Sequence, residues 1–284
     1  MTKVVSFINL KGGVGKTTIA VNVAASLAQN FNKRVLIIDL DPQTNATVSL
    51  IPQEEWIYRD KESKQTLFHM FNDLINEEQN FDMRDAIIQG VSHINNLDLL
   101  PSSLGLVEIQ DFIPDIDRKA FINHVDVLGN QLTPILNNRE YDYIIIDCPP
   151  NLGAITLNGI TISDYYIIPT IPDILSKIGI NLVLNRIRSF KRKKKTCNIN
   201  LAGIIFSKVD YRTNLHNSTM QELRYSDLND YVFKNELPQR ISVSEAPMDN
   251  KPFITSPTAR NKSDFYNIKQ LIDNIAREFI YMTS

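Results

Sequence analysis

Short apolar runs rich in β-branched residues recur along the chain at 4–9, 34–39, 97–100, 143–147, 165–169, 202–207 and 231–236, mostly ending in small or acidic residues. Runs of this length and composition predict strands buried on both faces. Between them, apolar positions return every three or four residues and predict helices over 17–29, 155–162, 174–190 and 218–229, with a closing helix over 264–281. The alternation predicts an α/β fold, doubly wound, with a mostly parallel sheet and helices on both faces. Two stretches near 52–65 and 110–129 break the alternation and read as peripheral insertions in a single domain covering 1–284. No repeat or low-complexity linker divides that domain. In such sheets ligands sit beyond the carboxyl ends of the strands, which directs the search for chemistry to 11–18, 39–45 and 147–153.

The first of these segments reads KGGVGKTT, from Lys11 to Thr18, between a strand and a helix. Gly12, Gly13 and Gly15 let the backbone curl so that successive N–H groups, with that of Val14 among them, face phosphate oxygens at the start of the helix. Lys16 then supplies a point charge to the β- and γ-phosphates, and the Thr17 hydroxyl is a magnesium ligand. The general phosphate-loop pattern has a glycine where Leu10 stands and does not call for a lysine at Lys11. ATP and Mg²⁺ are the ligands these residues call for.

The second segment, DLDPQTNAT, places Asp39 and Asp41 two residues apart, which in extended backbone turns both carboxylates to one face. One would support the water shell of the metal and the other would orient an attacking water, and spacing alone does not say which. The third segment, YDYIIIDCPPNLG, is an apolar strand ending in Asp147, the form of a carboxylate that reaches magnesium through water. Gly153 leaves the following loop free to change its backbone with the state of the γ-phosphate.

The formal charge of −2 excludes a globally basic nucleic-acid binder. Against that background, residues 186–195 read RIRSFKRKKK, and the cations are Arg186, Arg188, Lys191, Arg192, Lys193, Lys194 and Lys195. Such a cluster suits sequence-independent, salt-sensitive contact with DNA, and it suits equally a solvated helix end where cations meet the negative pole of the helix dipole. Two cysteines, Cys148 and Cys197, make no disulfide framework, and no apolar stretch approaches the ~20 residues of a membrane span. The expected location is therefore cytoplasmic. The four histidines show no metal-ligand spacing.

Together these segments resemble the ParA family of partition ATPases, relatives of the cell-division positioning ATPases and of the nitrogenase iron protein. The resemblance extends to GIIFSKVDYRTNLH from Gly203 and LPQRISVSEAP from Leu237, and so covers nearly the whole chain. It implies a deviant Walker A loop in which Lys11 is the signature lysine, contacting nucleotide across an ATP-induced sandwich homodimer. It implies that Asp41 is required for hydrolysis, that Asp147 belongs to the second switch, and that Ser207, Lys208 and Pro238 lie near adenine. Gln239 and Ser242 stand where the family usually has arginines, with Arg240 between them. The resemblance also implies nonspecific DNA binding by the ATP-bound dimer on the nucleoid. The 186–195 cluster would contribute, and Arg224 resembles one such contact.

Without room for an added helix-turn-helix, operator recognition is expected to fall to a ParB-like or other small centromere-binding adaptor that stimulates hydrolysis. The function expected is segregation of plasmid or chromosomal DNA. The alternative is a membrane-associated positioning ATPase of the MinD-like, cell-division type. Lipid binding of that kind needs a cationic amphipathic tail, whereas QLIDNIAREFIYMTS carries one arginine with an aspartate and a glutamate, so no membrane partner is expected.

Overall fold

The computed structural model describes residues 1–120 and 122–284; Phe121, within the insertion expected near 110–129, lies outside the described residues. Six of the apolar runs form strands: β1 (Lys3–Phe7), β2 (Val35–Asp39), β3 (Leu97–Leu100), β4 (Tyr143–Asp147), β5 (Tyr165–Thr170) and β6 (Asn200–Phe206). They make one sheet in the order β3-β2-β4-β1-β5-β6, and every neighbouring pair is parallel. The longer helices are α1 (Lys16–Asn30), α2 (Leu67–Asn76), α3 (Val127–Asn138), α4 (Ala154–Ile162), α5 (Ser176–Lys193), α6 (Asn214–Arg224) and α7 (Phe265–Met282).

Alternate strand residues feed two cores, one on each face of the sheet. Leu36, Ile38, Ile144 and Ile146 join apolar residues of α2 to α6 on one face. Val35, Ile37, Tyr143 and Ile145 join α1 and α7 on the other. The helices that follow the neighbouring strands β1 and β4 therefore leave on opposite sides, and a crevice opens between their carboxyl ends.

Near the expected 52–65 insertion the chain forms a short helix, Gln53–Ile57, and a wider turn of helix, Tyr58–Glu62. The strand expected over 231–236 does not form. Phe233 N–H donates to the Ile204 carbonyl and Leu237 N–H to that of Phe206, but the backbone N–H groups of Lys234 and Asn235 between them turn to the Glu278 carboxylate. The Phe233 ring fills the space beside Gly203, where a Cβ would lie 2.3 Å from it, so an apolar residue that reads as strand is an anchor on the sheet edge instead. The helix expected over 218–229 begins earlier and stops at Arg224, and α5 extends through Lys193, past the expected end at 190.

Candidate functional site

The loop after β1 is tied to its surroundings before it turns. Asn9 Nδ2 donates to the Pro169 carbonyl at 2.7 Å, while its Oδ1 accepts from Lys11 N–H at 2.9 Å, so one side chain joins the loop to the end of β5. Gly13 and Gly15 then take left-handed conformations, with φ of 74° and 77°, which only glycine adopts at little cost. Gly12 has neither a positive φ nor crowding at a built Cβ. The buried Val14 turns its carbonyl to the Ser207 hydroxyl, which donates to it at 2.5 Å and locks the loop against the end of β6.

Gly15 is the residue before α1, and the first turn of α1 has no acidic residue to occupy its N-terminal N–H groups. Gly12 to Thr18 face a cleft of about 330 Å³ also lined by Asp41, Gln43, Asn45, Pro150 and Lys208. Loop N–H groups and the helix dipole make this end of the cleft an anion site. Lys16 is buried at its edge. Beside it, Ser207, Lys208 and Pro238 line a smaller hollow of about 80 Å³ together with Gly15, Thr18, Gln239 and Arg240. The three residues expected near adenine thus meet next to the phosphate end. The Ser242 hydroxyl donates to Asp264, and Arg240 pairs with the same carboxylate at 3.5 Å.

The carboxylates divide by what surrounds them. Asp39 and Asp147 are register partners at the ends of β2 and β4, and both are fully buried. Asp39 Oδ2 accepts from the Thr47 N–H at 2.8 Å and its hydroxyl at 2.7 Å, and Oδ1 accepts from Asp41 N–H at 3.2 Å. Asp147 Oδ2 accepts from the Thr17 hydroxyl at 2.6 Å, whereas Oδ1 is a buried oxygen without a partner. Burial raises both carboxyls above their ordinary range; the Asp39 charge raises Asp147 further, and the Thr47 hydrogen bonds partly offset the effect on Asp39.

Two buried carboxylates, one with an unpartnered oxygen and its other oxygen on a threonine hydroxyl, are a donor set that suits a divalent cation. Among the described residues no three His, Cys, Asp or Glu side chains form an all-protein metal cage. The Asp41 backbone joins this pair through Asp39, while its side chain faces the cleft, where Oδ1 accepts from Gln43 N–H at 2.9 Å.

The cations of the basic segment are not equivalent. Lys194 pairs with Asp126 at 2.5 Å, and Lys191 donates to the Ile199 carbonyl at 2.6 Å. Arg224 pairs with Glu236 at 2.6 Å and lies over the Phe206 ring. Arg186, Arg188, Arg192, Lys193 and Lys195 are exposed. Sequence reading does not find Thr47, the clamp on Asp39, or Asp173, which pairs with Lys11. Asn9 leaves one signal, a polar residue closing an apolar strand.

Comparison with known proteins places these features in context. Residues 2–202 match a family model described as an AAA domain. The chain is 33% identical over 255 residues to the sporulation initiation inhibitor protein Soj of Bacillus subtilis, covering 89% of this chain and 91% of that one. It is 30% identical to the virulence plasmid ParA family protein pGP5-D of Chlamydia psittaci over 96% of this chain and 95% of the relative. The fold is shared with a putative plasmid partition protein of Borrelia burgdorferi solved bound to AMPPNP, with a TM-score of 0.70, 23% identity and 99% coverage of both chains.

Proposed function

The chain belongs to the ParA/Soj family of partition ATPases, and we propose that it hydrolyses ATP with magnesium to move DNA cargo between daughter cells. The observation that supports this most directly is the unpartnered, buried Asp147 Oδ1 beside Thr17, under a helix N-terminus with no acidic residue of its own. On this reading Thr17 and Asp147 hold the cation, with Asp39 behind them, and Ser207, Lys208 and Pro238 flank adenine. When bound, the cation neutralises charge on the β- and γ-phosphate oxygens.

Lys16 and the loop N–H groups receive the phosphates, and Asp41 orients a water for in-line attack on the γ-phosphorus. The bond from that phosphorus to the β–γ bridging oxygen breaks, giving ADP and inorganic phosphate. Lys11 reaches the γ-phosphate held by a second copy, so turnover requires a sandwich dimer. The ATP-bound dimer binds DNA without sequence preference through Arg186, Arg188, Arg192, Lys193 and Lys195, on the nucleoid of the cytoplasm. A ParB-like adaptor selects the cargo and stimulates hydrolysis. All of 1–284 acts as one ATPase domain, with the segments near 52–65 and 110–129 peripheral to it.

The membrane-positioning alternative gains no support from α7. Its Phe265, Ile268, Ile272, Ile275, Ala276 and Phe279 are buried in the core, so the apolar face of the tail is spent on packing against the sheet. Calorimetry with ATP tests the reading. Binding heat should appear with ATP, strengthen with magnesium and vanish in Lys16→Ala. A folded wild-type chain giving no heat would refute it.

A further inference from the structure

Lys11 is the residue of the phosphate loop that the cleft does not use. Gly12 to Thr18 line the cleft; the Lys11 ammonium lies outside that lining and is ion-paired with Asp173. Asp173 belongs to the connection 171–175 between β5 and α5, and its carboxylate is fixed independently of the lysine. Its Oδ1 accepts from Leu175 N–H at 3.1 Å, and its carbonyl accepts from the Ser176 N–H and hydroxyl at 3.1 and 2.7 Å. Oδ2 takes the ammonium. On the other side, the Lys11 backbone is held by Asn9, itself bonded to Pro169 at the end of β5. Both partners stand in held loops just beyond the neighbouring strands β1 and β5, so little backbone ordering is lost when they pair.

We propose that Asp173 is a positioning residue that holds Lys11 within its own chain and thereby sets the threshold for dimer formation. The inference rests on the role across the dimer proposed for Lys11 above. An ammonium is a compact charge that cannot serve two distant anions at once. Without nucleotide, the Asp173 carboxylate is the acceptor in reach. When a second copy presents a triphosphate, a more highly charged acceptor competes for the same lysine, and dimerisation proceeds by exchange of one ion pair for another. The side chains of Lys11 and Asp173 are 47% and 26% exposed, so the internal pair is modest and screened by salt. Pairs of this exposure shift an equilibrium by about 1.5- to 5-fold, and two of them must open per dimer, giving about 2- to 25-fold in the dimer dissociation constant.

Asp173→Asn removes the charge but keeps an oxygen for Leu175 N–H, and Asp173→Glu keeps the charge. The experiment measures dimer dissociation constants by sedimentation with magnesium ATP, in the full chain carrying Asp41→Ala to suppress turnover. Asp173→Asn should tighten the dimer within the range above at low salt, with the gain shrinking as salt rises. Asp173→Glu should return the constant toward that of the parent. In a chain that also carries Lys11→Ala, Asp173→Asn should have no effect, because its action runs through the lysine. An unchanged or weaker dimer in Asp173→Asn, with Lys11→Ala still harmful, would overturn the inference and leave the Lys11 role standing. An equal gain with and without Lys11 would overturn it as well. Dimerisation indifferent to Lys11→Ala would instead remove the role across the dimer, and the inference with it.

Discussion

The carboxylates at the ends of β2 and β4 and the cations at the end of α5 carry charge under opposite conditions. Asp39 and Asp147 are sealed from water and raised in pKa by burial, so almost any change near them carries a large electrostatic penalty. Arg186, Arg188, Arg192, Lys193 and Lys195 are exposed and individually weak. The buried pair defines a point in space that one ion can fill. The exposed set defines a field that acts only through its sum and only at low ionic strength. The proposed function assigns chemistry to the first and nonspecific adhesion to the second.

The comparison breaks most visibly at the loop and its carboxylates. Lys16→Ala should remove nucleotide binding and lower turnover by at least ~10³, measured by phosphate release. Asp41→Ala should keep ATP affinity within about threefold while lowering turnover ~10²- to 10³-fold. Normal turnover in that variant would remove Asp41 from the water-positioning role.

A second measure sharpens the contrast through pH. Asp39 and Asp147 hold protons more tightly in the folded chain than in the unfolded one. Their contribution to stability is therefore present at acid pH and lost as pH rises from about 4 toward neutrality. Urea titrations of the nucleotide-free protein should show a decline on the order of a few kcal/mol from these groups, flattened by Asp147→Asn and offset by magnesium ATP. A ligand-free protein whose stability rises through that range to the same extent in both chains would contradict it.

The smallest effects lie on α5. Replacing Arg192 and Lys193 should lower the salt slope of DNA binding by about 0.9 for each phosphate that is no longer neutralised, read by fluorescence anisotropy with ATP. Lys194→Ala should leave the slope unchanged and cost at most about 1 kcal/mol of stability, since its partner is Asp126. Equal slopes for the two replacements would erase the distinction between exposed and internally paired cations.

The same contrast explains what the sequence made legible. Six strands were readable because each is an apolar run with an abrupt end, and the carboxylates were readable because they stand at those ends. The left-handed turns at Gly13 and Gly15 are likewise local requirements. What escaped depended on distant pairing. Nothing in the run 231–236 announces that Glu278 will take its backbone N–H groups. The string 186–195 does not reveal that Lys194 meets Asp126, and Arg224 gives no local hint of Glu236. Thr47 looks like any helix threonine until the sheet brings Asp39 beneath it.

The sheet order carries a consequence for synthesis. β1, which bears the phosphate loop, and β2, which bears Asp39, never touch; β4 lies between them and is encoded about a hundred residues later. A nascent chain that has emerged only through β3 holds the glycines and the first aspartates without the wedge that spaces them. The nucleotide cradle therefore assembles after β4 inserts, and an amino-terminal fragment ending before it would carry the phosphate loop and the first aspartates and none of the affinity.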